Sequence, residues 1–510
     1  MGLLPGRGRG LRRLPWGRFA AGLLAGAAAL AVTYLLRFLG LGVFLPEVAV
    51  GFVVEAIPGA IESFFIQTMG EGAKVLGLLV ALAFSLVLAG LLSLLFPWVQ
   101  RKLPWRWAPI AVFAFGYAGA ALLVVLPLLG GGILGSNTSV GLGAAVFSQL
   151  IAGWLYAALL DYFLVELPMR HLEGFQPSRR QFIAGVAATI ALSALAILGL
   201  STLFPGRRRL AFASVGEMVL KEVTPTGEFY VVTKNLVDPV VDANAWRLVI
   251  DGLVRTPRSY THPELQARVD AEELITLECV SNEVGGDLIS TARWEGVRLG
   301  DLLRDADPEV RADWVAFTCA DEYTVAVPRA KAEEATTLVA LAMNGIPLPE
   351  NHGFPARVVV PDLYGMFSAK WLTRITLVEG EFLGFWQRKG WTNQGEVRPK
   401  ALIATPAPDA VVSSPVSLGG VAFAGSRGVS RVEVSTDGGS TWSAAALRSP
   451  PLSQLTWVLW TFDWAPRSGG SHRILARLVD GQGQPQEAAP SGPFPDGASG
   501  YDAIVLHVSG

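Results

Sequence analysis

Over the first 205 residues the chain strings together apolar runs almost free of charge, each near the ~20 residues a helix needs to cross a bilayer. They predict spans near 19–42, 75–97, 107–130, 143–166 and 182–204. Beyond residue 210 the pattern changes. Short β-prone runs alternate with helical stretches to about residue 398, as in a mixed α+β domain. The last stretch alternates apolar with polar positions: 431–447 surrounds an Asp437-Gly438-Gly439 turn, and 456–466 and 471–483 follow as further strands. Three domains are expected: an all-α transmembrane bundle (1–205), a mixed α+β domain (211–398) and a β-sandwich (399–510).

The segment 46–70 is apolar too, but it carries Glu47, Glu55, Glu62 and Pro58. An external interfacial or re-entrant helix fits it better than a span. Arg7, Arg9, Arg12, Arg13 and Arg18 precede the first span. Arg101, Lys102 and Arg106 follow the second, and Arg170, Arg179 and Arg180 follow the fourth. With five spans these clusters fall on one side, which the positive-inside rule makes cytoplasmic. The chain after residue 205 is then extracytoplasmic, with Arg207, Arg208 and Arg209 outvoted. Arg37 and Asp161, near opposite ends of their spans, read as snorkelling side chains.

Composition agrees with this division. Hydrophobic residues make up 51% of 510 and charged residues 16%, with a mean hydropathy of +0.42, too apolar for a purely soluble protein. A net charge of −2 gives no reason to expect nucleic acid as a partner. His171 is the only histidine before residue 205, so a haem held by two histidines inside the bundle is not expected. No Cys-x-x-Cys-His occurs, so no attached haem is expected either.

The chemistry concentrates around Cys279, one of two cysteines. It ends the β-prone run Leu274-Ile275-Thr276-Leu277-Glu278, and Ser281-Asn282 and Gly285-Gly286 then turn the backbone away. A thiolate at such a tip is a strong soft-metal ligand. By spacing alone a lone cysteine is more often a small buried hydrophobe. Cys319 has no metal motif around it and reads as core.

The block 276–303, with Cys279 and the run Ala292-Arg293-Trp294-Glu295-Gly296-Val297-Arg298-Leu299, resembles the molybdenum-binding segment of the sulfite oxidase family. The block 343–380, from Met343-Asn344-Gly345 to Glu379-Gly380, resembles that family's pterin-binding segment. The resemblance covers roughly 211–510. It implies a sulfite-oxidase-type molybdopterin domain followed by an immunoglobulin-like β-sandwich that mediates a homodimer. It also implies a molybdenum-molybdopterin cofactor, with Cys279 as metal ligand and catalytic residue. Tyr230, Lys234 and Asn235 fall where the family touches pterin or faces molybdenum, and Thr318 and Asp321 where a strand and turn underlie the cofactor. His352, Arg357, Ser368, Ala369 and Lys370 fall in the block whose members hold the pterin phosphate. A guanidinium fork, an ammonium and small donors converging from two turns are what a phosphate requires.

Ser178-Arg179-Arg180-Gln181-Phe182-Ile183 before the run 184–204 resembles a twin-arginine export signal. That route carries folded proteins, as a domain loaded with cofactor in the cytoplasm would need. The expected protein is a multi-pass, membrane-anchored extracytoplasmic oxidoreductase. It would transfer an oxygen atom or two electrons on a small substrate, with a separate electron-transfer partner or quinone. The sequence departs from the family where substrate charge is set: Lys234 replaces an arginine, Glu283 another, Leu341 a tyrosine, and the late arginine is absent from 493–508. These changes lean from sulfite oxidation toward S-oxide or N-oxide reduction. A non-catalytic membrane sensor or transport-associated protein is the alternative from another class.

Overall fold

The computed structural model of the chain describes residues 16–69, 72–103, 105, 107–138, 140–166, 209–235 and 237–509. The expected fifth span and the 178–183 motif lie outside the described residues. The chain divides into two units, Met1–Ala56 with Glu71–Phe204, and Ile57–Gly70 with Pro205–Gly510.

The first unit is helical: α1 (Trp16–Phe38), α2 (Leu45–Ala56), α4 (Gly72–Ser93), α5 (Phe96–Lys102), α6 (Ala108–Ala120), α7 (Leu126–Leu128) and α8 (Gly141–Asp161). Between α2 and α4 lies α3 (Gly59–Met69), which belongs to the second unit. Among the described residues, four stretches are long and apolar enough to cross a membrane: Gly17–Phe38, Gly72–Lys102, Ala108–Leu128 and Gly141–Leu164. They coincide with the first four expected spans. Small residues allow close helix approach: a Cβ on Gly22 would lie 2.5 Å from Ser93 Oγ, and one on Gly153 2.3 Å from the Ala114 carbonyl.

The segment 46–70 is two short helices rather than one, with Pro58 between them. Arg37 does not simply snorkel. Its Nε and Nη2 each donate to the Glu47 carboxylate at 2.9 Å, because the first turn of α2 brings that acid back to the end of α1.

The second unit carries four sheets. One has the order β2 (Arg258–Thr261), β1 (Arg247–Gly252), β10 (Leu372–Val378), β5 (Trp314–Cys319), β6 (Thr324–Pro328), with β1 and β10 parallel and the other pairs antiparallel. A second runs β3 (Ala271–Glu278), β4 (Ile289–Arg298), β7 (Leu338–Met343), with β8 (Ile346–Pro347) and β9 (Arg357–Val359) both paired to β7. The β3–β4 ladder is antiparallel from Ala271↔Gly296 to Glu278↔Ile289, so Cys279 is the first residue beyond its end.

Residues 400–508 form the other two sheets. One joins β11 (Lys400–Thr405), β13 (Val416–Phe423), β17 (Val458–Trp464) and β16 (Ala446–Leu447). The other joins β12 (Val411–Val412), β19 (Asp502–Val508), β18 (Gly470–Asp480), β14 (Val429–Ser435) and β15 (Ser443–Ala444). Their inward residues share one core, with Leu418 and Trp460 from the first sheet against Val432, Leu478 and Leu506 from the second.

Candidate active site

β3 buries every residue from Ile275 to Glu278, so it enters the interior and delivers Cys279 to a cleft. The turn after it is pinned by one side chain. Asn282 donates to Glu278 Oε1 at 2.9 Å and accepts from the Leu288 amide at 3.1 Å, while its own amide bonds the Cys279 carbonyl at 2.9 Å. Gly285 has φ +84°, and a Cβ there would meet the Arg209 guanidinium at 2.5 Å. That guanidinium donates to both carboxylate oxygens of Asp502, on β19, at 2.7 Å. The Cys279 Sγ lies 3.0 Å from Ser281 Oγ. Burial pushes the thiol up, against the Ser281 hydrogen bond. As a bare side chain it is a protonated thiol at neutral pH, and a bound metal cation would reverse that balance.

A second group of lining residues suits an anion. Arg357 starts β9 at 5% exposure, with its guanidinium donating to the His352 carbonyl at 3.1 Å and the Ser368 carbonyl at 2.9 Å. It stacks 4.9 Å from the Trp294 ring centre. Among the described residues no carboxylate pairs with it, and its Nε is buried without a partner. Burial pulls its pKa down to about 10. A buried cation without a counter-charge is costly unless a ligand supplies one. Lys370, whose Nζ donates to the Asn351 carbonyl at 3.0 Å, lines the same cleft. Gly353, at φ +110°, lets these two chains converge, since a Cβ there would lie 3.0 Å from Lys370 Cβ and 3.1 Å from Arg357 Cβ. His352 donates from Nε2 to the Thr226 carbonyl at 3.1 Å. Burial, with Arg357 and Lys370 adding to it, pulls His352 down to about 4, so the ring is neutral at pH 7. A guanidinium and an ammonium suit the phosphate of a pterin cofactor.

In the same cleft, Lys234 Nζ sits 3.9 Å from Asp321 Oδ2. Asp321 also accepts from Asn235 Nδ2 at 3.0 Å and from the Tyr323 amide at 3.1 Å. The cleft is lined by nine of the residues singled out from sequence: Tyr230, Lys234, Cys279, Asp321, His352, Arg357, Ser368, Ala369 and Lys370. Asn235 is one step removed, on Asp321. Thr318 is not among the lining residues: on β5 it alternates with Phe317 and Cys319, which pack into the core, and its carbonyl accepts from Thr373 Oγ1 at 3.0 Å. Glu283 does not line the cleft either, and the acid that does is Asp321.

Sequence reasoning missed the aromatic wall. Tyr323, Trp371, Trp386 and Trp391 line the cleft, and the Tyr323 hydroxyl donates to the Met366 carbonyl at 2.7 Å. It also missed the support behind Cys279, where Lys400 Nζ lies 2.6 Å from Glu278 Oε1 with both side chains at 2% exposure or less. Neither has a short motif. Among the described residues no three His, Cys, Asp or Glu side chains group to hold a metal ion. Any metal beside Cys279 therefore needs ligands from a cofactor.

Residues 235–386 match the oxidoreductase molybdopterin-binding domain, and residues 392–490 the Mo-co oxidoreductase dimerisation domain. Sulfite oxidase of Gallus gallus is 30% identical over 326 residues, covering 54% of this chain and 71% of that one. Mitochondrial sulfite oxidase of Mus musculus is 32% identical over 320 residues, covering 52% of this chain and 58% of that one. The NAD(P)H nitrate reductase of Hordeum vulgare is 30% identical over 299 residues, covering 47% of this chain and 33% of that one.

Proposed function

Because the chain belongs to the sulfite oxidase family and is a molybdopterin oxidoreductase, we propose that it is a membrane-anchored, extracytoplasmic enzyme that reduces small uncharged S-oxides or N-oxides. The observation that carries the substrate class is the Lys234–Asp321 pair. Lys234, a cation that lines the cleft, is matched by a carboxylate, which is itself held by Asn235 and the Tyr323 amide. An anion entering there would meet a compensated charge and an acid, whereas a neutral dipolar oxide meets a donor. Trp386, Trp391 and Tyr323 supply apolar surface for the rest of such a substrate.

When bound, molybdenum-pterin would supply the two-electron change and the oxygen-atom acceptor. The protein's own part is to hold and orient. Arg357 and Lys370 would hold the pterin phosphate, with His352 beside them, and Cys279 would supply its sulfur to the metal. The neutral His352, whose one N–H goes to the Thr226 carbonyl, adds no charge of its own. Lys234 would donate to the substrate oxygen from a side chain at 19% exposure. Four apolar stretches suggest membrane association, and the match over 392–490 supports a homodimer through an immunoglobulin-like C-terminal domain. Electrons would come from a separate electron-transfer partner or quinone.

Oxidation of sulfite is the second reading, favoured by the names of the relatives. Metal and pterin analysis of the purified full chain comes first, followed by kcat/KM for a dialkyl sulfoxide, an amine N-oxide and sulfite. The expected order has sulfite lowest by about tenfold or more. Asp321→Asn, which unmasks Lys234, should narrow the gap. If sulfite is the best substrate and Asp321→Asn leaves its KM alone, the substrate reading is wrong.

A further inference from the structure

The helix α3 lies in sequence between Ala56 and Glu71, both in the helical unit, yet it folds with the catalytic unit. Its contact there is specific. Glu62 Oε2 lies 3.2 Å from Lys389 Nζ, and the two side chains are 12% and 8% exposed. The same ammonium reaches the Ile57 carbonyl at 3.5 Å and stands 4.8 Å from the Phe385 ring centre and 5.5 Å from that of Trp386. The backbone is tied as well: the Gly59 amide donates to the Lys389 carbonyl at 3.2 Å. Only glycine permits this approach, since a Cβ on Gly59 would sit 2.6 Å from that carbonyl oxygen and 3.1 Å from Trp391 Nε1.

Lys389 is also tied to the cleft. It ends the helical turn Phe385–Arg388, which presents Trp386, and stands two residues before Trp391, and both tryptophans form cleft wall. The Phe385 ring that Lys389 covers on one contact is met at 5.5 Å by Lys234, the cation inside the cleft. One aromatic ring therefore links the ammonium anchored by α3 to the ammonium facing the substrate space. An ammonium held by two aromatic rings and a largely buried carboxylate is a strong, directional anchor.

We propose that α3 is a strap that sets the cleft wall, with Glu62 and Lys389 as positioning residues for Trp386, Trp391 and Lys234. The strap is threaded from the helical unit, so it makes substrate affinity depend on a segment outside the family's two matched domains. The proposal rests on the reading of this cleft as the substrate site.

The test uses the full chain in detergent, with Glu62→Ala, Lys389→Met and the conservative Lys389→Arg. Hydrogen exchange of peptides spanning 57–62 and 384–392 is followed alongside pterin content and steady-state kinetics with a dialkyl sulfoxide. In Glu62→Ala and Lys389→Met the amides of 384–392 should exchange about tenfold faster. KM should rise about five- to tenfold with kcat within about twofold and pterin content unchanged, while Lys389→Arg stays near the parent in both readouts. Unchanged exchange at 384–392 in Glu62→Ala overturns the strap, as does a loss confined to kcat or to pterin content. If no sulfoxide turns over in the parent chain, the substrate reading fails while the exchange measurement still decides the strap.

Discussion

Replacing Lys400 with methionine isolates the charge that stands behind the metal-binding turn. The Lys400 side chain is 2% exposed and its Nζ is 2.6 Å from Glu278 Oε1, on a side chain with no exposure at all. Burial pulls the ammonium's pKa down, but the Glu278 charge outweighs it, and the pKa lies above the usual lysine range. Methionine keeps most of the volume, so little cavity opens and the cost is electrostatic. After the change Glu278 retains only the Asn282 amide at 2.9 Å, and its Oε2 has no partner even in the parent chain. Breaking a buried pair from one side costs about 3–5 kcal/mol. For a domain of ~150–250 residues, each kcal/mol moves Tm by about 2–4 °C, so a fall of roughly 6–20 °C is expected. Thermal unfolding of the full chain, followed through the emission of tryptophans that include the buried Trp457 and Trp460, measures it. The double variant Glu278→Leu with Lys400→Met should recover most of the loss, because two apolar groups leave no unpaired charge. A fall of less than about 3 °C for Lys400→Met, or a double variant as unstable as the single, refutes the reasoning.

Other outcomes follow from the same site and from the sequence. Cys279→Ser should abolish turnover while keeping most of the pterin, which Arg357 and Lys370 hold, and Cys319→Ser should stay active; turnover by Cys279→Ser at the parent rate would exclude Cys279 as the metal ligand. For the cofactor-free chain, His352 sets a pH dependence: the unfolded chain takes up its proton near ~6.5 but the folded one only at about 4. The unfolded state therefore binds more protons between these values, and stability falls as pH drops through that window. His352→Gln should flatten this slope in a denaturant titration across pH. A reporter fused after residue 205 should be active only outside the cytoplasm, and replacing Arg179 and Arg180 with lysine should block export, which normal export without the twin-arginine pathway would contradict.

Much of this protein can be read from local pattern, and the exceptions share a cause. Long charge-free runs before residue 205 anticipated Gly17–Phe38, Gly72–Lys102, Ala108–Leu128 and Gly141–Leu164 because the signal is purely compositional. Alternation around Asp437-Gly438-Gly439 anticipated paired strands, and β14 does pair with β15 across that turn. Cys279, Arg357 and Lys370, each expected from an unbroken block of sequence, all line one cleft. Thr318 is not among the residues that line the cleft, and no residue name reveals which face of a strand a cavity adjoins.

What stayed hidden is the set of partners that complete the site from far away in the chain. Glu278 looks like an ordinary strand-end carboxylate until Lys400 arrives from 122 residues on, and Glu62 looks like a reason to deny a helix its span until Lys389 claims it from 327 residues away. In both cases a charge in an apolar neighbourhood was the visible sign. A buried acid needs a counter-charge, so such residues announce that a partner exists without naming it. For Glu62 this changes what the helix is: its charge argued against crossing a membrane, and in the folded chain it docks α3 beside two cleft tryptophans. The isolated acids of an apolar segment are therefore worth testing as docking points, and Glu62→Ala is the variant in which that argument stands or falls.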